Sequence, residues 1–247
     1  MSHRIYVSAS TQKANIGVGQ YGTEQDRMQF FADRVKYWLN TQKGKFVVFR
    51  NQSGWSLEQT ADDCNSLACE LFIDNHTNAG KIEQIAGDGG AEGSEIFYYT
   101  PSGITGNSYK LATSVYKHIA PLSPGKDRGI QPDINLYKSG LYVIRNTYPP
   151  AVVIEIIFHT NLQEVIDYLS RIDTYAKAEA VGLCEYCGEK WEETLTKEQT
   201  VETLVTHMLK DGIVTDKDHW IKVLMGEVHA NPDWLQIAFS RAVNKIG

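Results

Sequence analysis

The stretch Leu71-Phe72-Ile73-Asp74-Asn75-His76-Thr77-Asn78-Ala79-Gly80 sets an apolar triplet directly against seven residues rich in metal-binding and hydrogen-bonding side chains. A second junction of the same kind lies downstream, where Val152-Val153-Ile154 runs into Glu155-Ile156-Ile157-Phe158-His159-Thr160-Asn161. Each reads as a short buried strand that ends in residues able to hold a metal or move a proton. In open α/β sheets such residues gather beyond the carboxyl ends of the strands. The two junctions therefore predict both a sheet and the end of it where chemistry sits.

Working outward, Ile5-Tyr6-Val7 is the first strand, followed by a shaped loop from Ser8 to Tyr21 with Asn15, Gly17, Gly19 and Gln20. From Thr23 to Leu39 the positions Met28, Phe31, Ala32, Val35, Trp38 and Leu39 recur at helical spacing behind Thr23 as N-cap. Lys45 to Phe49 is the next strand. Ser56 caps a helix running to Ala68, with Leu57, Ala61, Cys64 and Leu67 facing inward. Ser94 to Tyr99 reads as a strand, Ser108 to Ile119 as a helix, and Pro121, Pro124 and Pro132 mark a proline-rich loop. Leu141 to Ile144 and Ala151 to Ile154 read as short strands, and Leu162 begins a further helix. Strands alternating with helices predict an α/β fold: a mostly parallel twisted sheet with helices on both faces.

Composition shifts near Gly188. Lys197 to Lys210, Lys217 to Met225 and Pro232 to Lys245 all read as helices, the last with Asn231-Pro232 as a start signal. The expected division is residues 1–188 as the main domain and 189–247 as a small all-helical module. Its Trp191, Trp220 and Trp234, with Leu224, Leu235, Ile237 and Phe239 at helical spacing, would build a small core.

The chain has 247 residues, 42% hydrophobic and 22% charged, which is ordinary for a globular protein. A net charge of −6 without Lys/Arg clusters argues against nucleic acid as a partner and disfavours a membrane surface. Cys184-Glu185-Tyr186-Cys187 has zinc-ribbon spacing, but Cys64 and Cys69 are five apart and do not form the matching knuckle. Reduced, partly buried thiols are the expectation. Met1-Ser2-His3-Arg4 leads straight into a strand, with no apolar leader and no run long enough to span a bilayer. That predicts cytosolic residence without membrane insertion.

Three residues then stand out: Glu24 opening the first helix, His76 and Glu155. A catalytic zinc takes three His, Glu or Asp ligands and leaves a fourth position for water, with a separate carboxylate moving protons. A lone histidine after a strand is more often a loop or core histidine, and a Glu in a helix's first turn usually serves the helix dipole. Glu155 is harder to dismiss, because a carboxylate buried alone costs several kcal/mol or shifts its pKa. The remaining histidines, His3, His118, His207, His219 and His229, read as solvated or structural.

The order and spacing of these pieces from Ile5 to about Tyr168 resemble the zinc-dependent N-acetylmuramoyl-L-alanine amidases of bacterial cell walls. The matching pieces are the Glu opening a helix, His76-Thr77-Asn78-Ala79, Gly93 to Tyr99, and Pro149-Pro150-Ala151-Val152-Val153-Ile154-Glu155 leading to Phe158 and Asn161. The resemblance implies Glu24 and His76 as zinc ligands, Glu155 as the catalytic carboxylate, and Asn78 and Arg145 at the substrate. Asn78 would order the His76 loop through its amide.

One departure is plain: the family normally has Gly-His at the end of the first strand, where this chain has Val7-Ser8-Ala9-Ser10-Thr11-Gln12. His159 is the candidate replacement ligand, with Gln12 or Thr11 as alternatives. The start Ser10-Thr11-Gln12-Lys13-Ala14-Asn15 and the pair Phe158-His159 are similar to a subgroup of phage and clostridial lysins.

The expectation is a peptidoglycan hydrolase with one zinc ion per chain, released as an endolysin is, by membrane lysis. The helical module would serve wall targeting or homodimerisation. The competing expectation is an inactive, amidase-like wall-binding protein that lost its metal with the histidine.

Overall fold

The computed structural model describes residues 2–80, 90–193 and 197–225. The chain divides into two compact units, Met1–Trp191 and Glu192–Gly247. In the first, β1 (His3–Ala9), β2 (Phe46–Phe49), β3 (Leu71–Asn78), β4 (Ser94–Tyr98), β5 (Asp127–Pro132) and β6 (Ala151–Phe158) form one sheet in the order β2-β1-β3-β6-β4-β5. Every neighbouring pair is parallel except β6 with β4. β4 and β5 therefore run against the other four strands, and the start of β4 lies beside the later part of β6, with Glu95 opposite Glu155. The fold is the α/β one expected.

Alternation along the strands divides the core in two. Ile5, Val7, Leu71, Ile73, Val152 and Ile154 face α1 (Glu24–Asn40), α3 (Asn107–Ile119) and α5 (Leu162–Tyr186). Tyr6, Phe72, Phe97, Ala151 and Val153 face α2 (Leu57–Ser66) and the short α4 (Tyr142–Asn146). Burial on both faces explains why these strands read as continuous apolar runs. The helix starts follow their sequence signals. Thr23 accepts from the Asp26 amide, and Ser56 and Gln59 form a reciprocal capping box.

Several expectations need correction. Leu141 to Ile144 is not a strand: Gly140 adopts φ 76°, Asp133 accepts from the Leu141 amide, and residues 142–146 coil as α4. Packing of Val143 and Ile144 against Cys64 and Val153 overrides their β-branched preference. The proline-rich loop contains β5. Leu57 is exposed rather than inward, being the first residue of α2. The two chemical junctions are not loops after strands, since β3 and β6 continue through His76 and Glu155.

Two devices set the working end of the sheet. Gly93 at φ 103° enters β4 so close to β5 that a Cβ would lie 1.8 Å from the Lys126 carbonyl oxygen. Glu164, in the first turn of α5, accepts from the amides of both Gly93 and Phe158 at 2.7 Å, holding the start of β4 against the end of β6.

In the second unit, α6 (Lys197–Lys210) and α7 (Lys217–Met225) pack Val201, Val205, Val214 and Trp220 together. The expected helix at 232–245, with Trp234, Leu235, Ile237 and Phe239, lies outside the described residues. No helix among the described residues is long and apolar enough to cross a membrane.

Candidate active site

Strand period places Asp74, His76 and Asn78 on one face of β3, the face of α2 and α4. Parallel pairing sets His76 opposite Glu155 on β6, and antiparallel pairing sets Glu155 opposite Glu95 on β4. Three adjacent strands thus carry His76, Glu155 and Glu95 in a row. Glu24 reaches the same place from the start of α1, with its Oε1 2.9 Å from His76 Nδ1. Asp74 Oδ2 lies 3.1 Å from His76 Nε2 on the other side of the ring. The imidazole is held between two carboxylates.

The loop after β1 completes this cluster. Gln12 Nε2 lies 3.4 Å from His76 Nδ1, and Asn15 donates to Gln12 Oε1 at 2.8 Å and to Glu24 Oε2 at 2.6 Å. Burial opposes charge on His76, yet Asp74 and Glu24 outweigh it and hold the imidazolium well above the usual histidine range. Burial pushes Glu24 up as well, but its bonds to His76, Asn15 and Ser10 hold it below the usual carboxylate range.

Glu155 has no such support. It is buried, and among the described residues its Oε2 has no hydrogen-bond partner. Burial pushes its carboxyl up to about 8, with His76 opposing and the neighbouring carboxylates adding to the rise. Glu95, in contrast, accepts from Asn78 Nδ2 at 3.0 Å and Arg128 Nε at 2.9 Å. Asn78 and Glu95 line a groove of about 540 Å³ with Lys126, Arg128, Gln131 and Phe158, among others, whereas His76 and Gln12 border a smaller cavity. The Arg128 guanidinium sits 5.0 Å from the centre of the Phe158 ring.

Of the residues singled out in the sequence, Glu24, His76, Glu155, Gln12 and Asn78 are brought together. His159 is placed on the opposite face, against Thr77 Oγ1 and the Thr77 carbonyl at 3.0 Å and stacked on Tyr21 at 5.5 Å. Burial pushes its pKa down, although Glu24 and Thr77 pull the other way. Arg145 is taken up by the buried Asp133, to which it donates from Nε at 2.6 Å and from a terminal nitrogen at 3.1 Å. It does not line the groove. Thr11 borders a second cavity of about 130 Å³ with Ser8, Gln12, Asn51, Thr60, Asp74 and His76.

The sequence reading missed Asp74, Glu95, Asn15 and Arg128. Glu95 carried a usable signal, since it interrupts an apolar strand just as Glu155 does.

The donor set can be tested against a zinc ion. Ligands about 2.0–2.1 Å from tetrahedral zinc stand roughly 3.3 Å apart. Glu24 Oε1, His76 Nδ1 and the Gln12 amide are spaced close to this, at 2.9 and 3.4 Å from the imidazole nitrogen. Among the described residues no three His, Cys, Asp or Glu side chains make such a group, so an amide would have to complete it. The amide presents oxygen or nitrogen by a half-turn of its terminal torsion. The residues fit, with one neutral ligand in place of an imidazole.

The N-acetylmuramoyl-L-alanine amidase family model matches residues 9–184, well over half of the chain. No curated protein matches it. Among solved structures, the catalytic domain of the amidase CwlV from Bacillus (Paenibacillus) polymyxa var. colistinus is similar with a TM-score of 0.64 and 23% identity, covering 76% of this chain and 99% of that one. An N-acetylmuramoyl-L-alanine amidase from Clostridium difficile 630 gives 0.63 and 23%, covering 77% and 99%. The catalytic domain of an endolysin targeting Clostridia difficile gives 0.57 and 18%, covering 77% and 99%. With Glu24, His76 and Glu155 converging at one end of this sheet, the chain belongs to the N-acetylmuramoyl-L-alanine amidase family.

Proposed function

We propose that the chain hydrolyses the amide joining the lactyl group of N-acetylmuramic acid to the first L-alanine of the peptidoglycan stem peptide, with a zinc ion held by Glu24, His76 and the Gln12 amide. The observation that carries this reading is Glu155, a buried carboxyl with an oxygen unpartnered among the described residues, set in the sheet register between His76 and the groove-lining Glu95. A group so placed needs a cation, a partner or a reaction. When bound, zinc supplies an acidic water and polarises the scissile carbonyl. Glu155 takes the proton of the attacking water and returns it to the leaving alanine nitrogen. Asn78 and Arg128 donate to Glu95, the strand neighbour of Glu155, and fix its carboxylate on the groove side. Phe158 and Arg128 form one wall of the groove that receives the stem peptide.

Gln12 is favoured over His159 as third ligand because its amide faces His76 while the His159 ring is bonded to Thr77 on the other side of the sheet. The test is incubation of purified sacculi with the protein. New N-terminal alanine is the expected product, and release of reducing sugars instead would refute the assignment. Elemental analysis separates the competing wall-binding reading, which predicts sacculus binding with no zinc and no cleavage.

In the finer part of this proposal the protein is a phage or prophage endolysin against a Gram-positive wall, with the second unit retaining it there or joining two copies. The division into two units and the variant Ser10-to-Asn15 loop support it. Failure of the full chain to clear any Gram-positive species from outside would count against it.

A further inference from the structure

We propose that Asp74 is a positioning residue for the metal site, receiving the Nε2–H of His76 so that Nδ1 is left facing Glu24 and Gln12; this rests on the zinc reading above. Three observations carry it. Asp74 is 2% exposed, so its carboxylate has given up nearly all contact with solvent. Such burial costs several kcal/mol unless a specific partner offsets it.

Among the described residues its single side-chain hydrogen bond is to His76, at 3.1 Å, and its other oxygen, Oδ1, has no partner. The carboxylate is therefore not satisfied by the fold around it; its one polar contact is the imidazole. The geometry also selects between the ring nitrogens. Nδ1 points toward Glu24 Oε1 and the Gln12 amide, while Nε2 points back along β3 to Asp74, two residues earlier on the same face.

An imidazole that gives one N–H to a carboxylate has its tautomer and ring orientation fixed and its other nitrogen made more basic. This matters more here than at a site with two histidines, because the Gln12 amide is a weak zinc ligand and His76 is the only imidazole in the set. Asp74 also differs from Ser8, its register neighbour on β1. Ser8 Oγ is likewise buried without a partner, and Ser8 borders the same 130 Å³ cavity, but no contact joins it to His76.

The experiment measures zinc affinity of the full chain by competition with a chromophoric chelator, alongside ¹⁵N NMR of the His76 ring in zinc-loaded protein. Asp74→Asn is expected to lose about 10- to 100-fold in zinc affinity, the range found when outer partners of metal-bound histidines are removed. Its Nε2 proton resonance should also leave the strongly hydrogen-bonded region. Ser8→Ala is expected to keep wild-type affinity.

Far-ultraviolet circular dichroism checks the fold, and Asp74→Ser serves in its place should Asp74→Asn fail to fold. Equal affinity in wild type and the Asp74 variant overturns the inference, as does a loss of affinity with an unchanged Nε2 proton. If wild type itself binds no zinc, the metal reading fails first and takes this one with it.

Discussion

Glu179 gives a quantitative test of how the scaffold around the site is held. It projects from α5, is fully buried, and accepts from Asn75 Nδ2 at 3.2 Å through one oxygen while the other has no partner. Asn75 also donates to the Ser8 carbonyl at 3.0 Å, so Glu179 braces the β1–β3 junction directly beneath His76. Burial is the main cause that pushes its carboxyl up to about 8, with Asn75 and Arg50 opposing. An acid whose folded pKa is raised keeps its proton in the folded chain after the unfolded chain has lost it. Its contribution is therefore fully present below the unfolded value of 4.5 and is lost as pH rises through about 8.

The slope is about 1.4 kcal/mol per pH unit for one proton, so between about pH 5.5 and about pH 7.5 this group costs roughly 2–3 kcal/mol. Glu179→Gln keeps the shape and the acceptor for Asn75 but carries no proton to lose. Urea unfolding with a chelator present should show wild type losing roughly 2–3 kcal/mol more than the variant over that interval, a midpoint difference of roughly 1 M. Parallel pH dependence in the two proteins would refute the assignment of a neutral, buried Glu179.

The remaining predictions concern the site. Glu155→Gln should fold and retain zinc while losing about 10²- to 10⁴-fold in the rate of alanine release from sacculi; near-normal turnover would remove Glu155 from the proton-moving role. Gln12→His replaces an amide by an imidazole and should tighten zinc binding in the chelator competition, whereas His159→Ala should leave it close to wild type and lower thermal stability instead. The reverse ranking would restore His159 as the ligand. Arg128→Ala frees Glu95 and opens the groove wall, so KM for soluble muramyl peptides should rise roughly tenfold, the equivalent of about 1.4 kcal/mol, with a smaller change in kcat.

Much of this fold was legible because the strands are buried on both faces and the helices carry their caps in sequence. What escaped was direction and parity. A parallel β4 would have carried Glu95 to the far end of the sheet from Glu155; its reversal brings the two face to face. No local pattern in Ser94-Glu95-Ile96-Phe97-Tyr98 encodes that choice. His159 shows the parity problem. Four residues after Glu155, it should share that residue's face on a regular strand. The register instead slips between His76 and Asn78, so that Glu155 and Phe158, three apart on β6, oppose residues two apart on β3. The bulge keeps Phe158 on the groove face and turns His159 to Tyr21 and Thr77. Arg145 was misplaced for a different reason. A buried Asp133 draws it in, and the sequence separation of the pair gives no hint of that contact.

The charge at this end of the sheet bears on the metal independently of any resemblance. Glu24, Asp74, Glu95 and Glu155 converge there, all buried, and the cations that meet them are His76 and Arg128. Arg128 is matched by Glu95, and His76 is shared between Glu24 and Asp74. Glu155 is left over, which is why burial and its carboxylate neighbours push it up to about 8. Carboxylates concentrated this way repel one another, a cost that an added cation would lower. On the proposed reading, a divalent ion held by Glu24, His76 and Gln12 would supply positive charge here and, by reversing the local pKa logic, would favour an ionised Glu155. The same crowding of carboxylates that raises Glu155 would then, with the ion bound, ready it as the base of the proposed reaction.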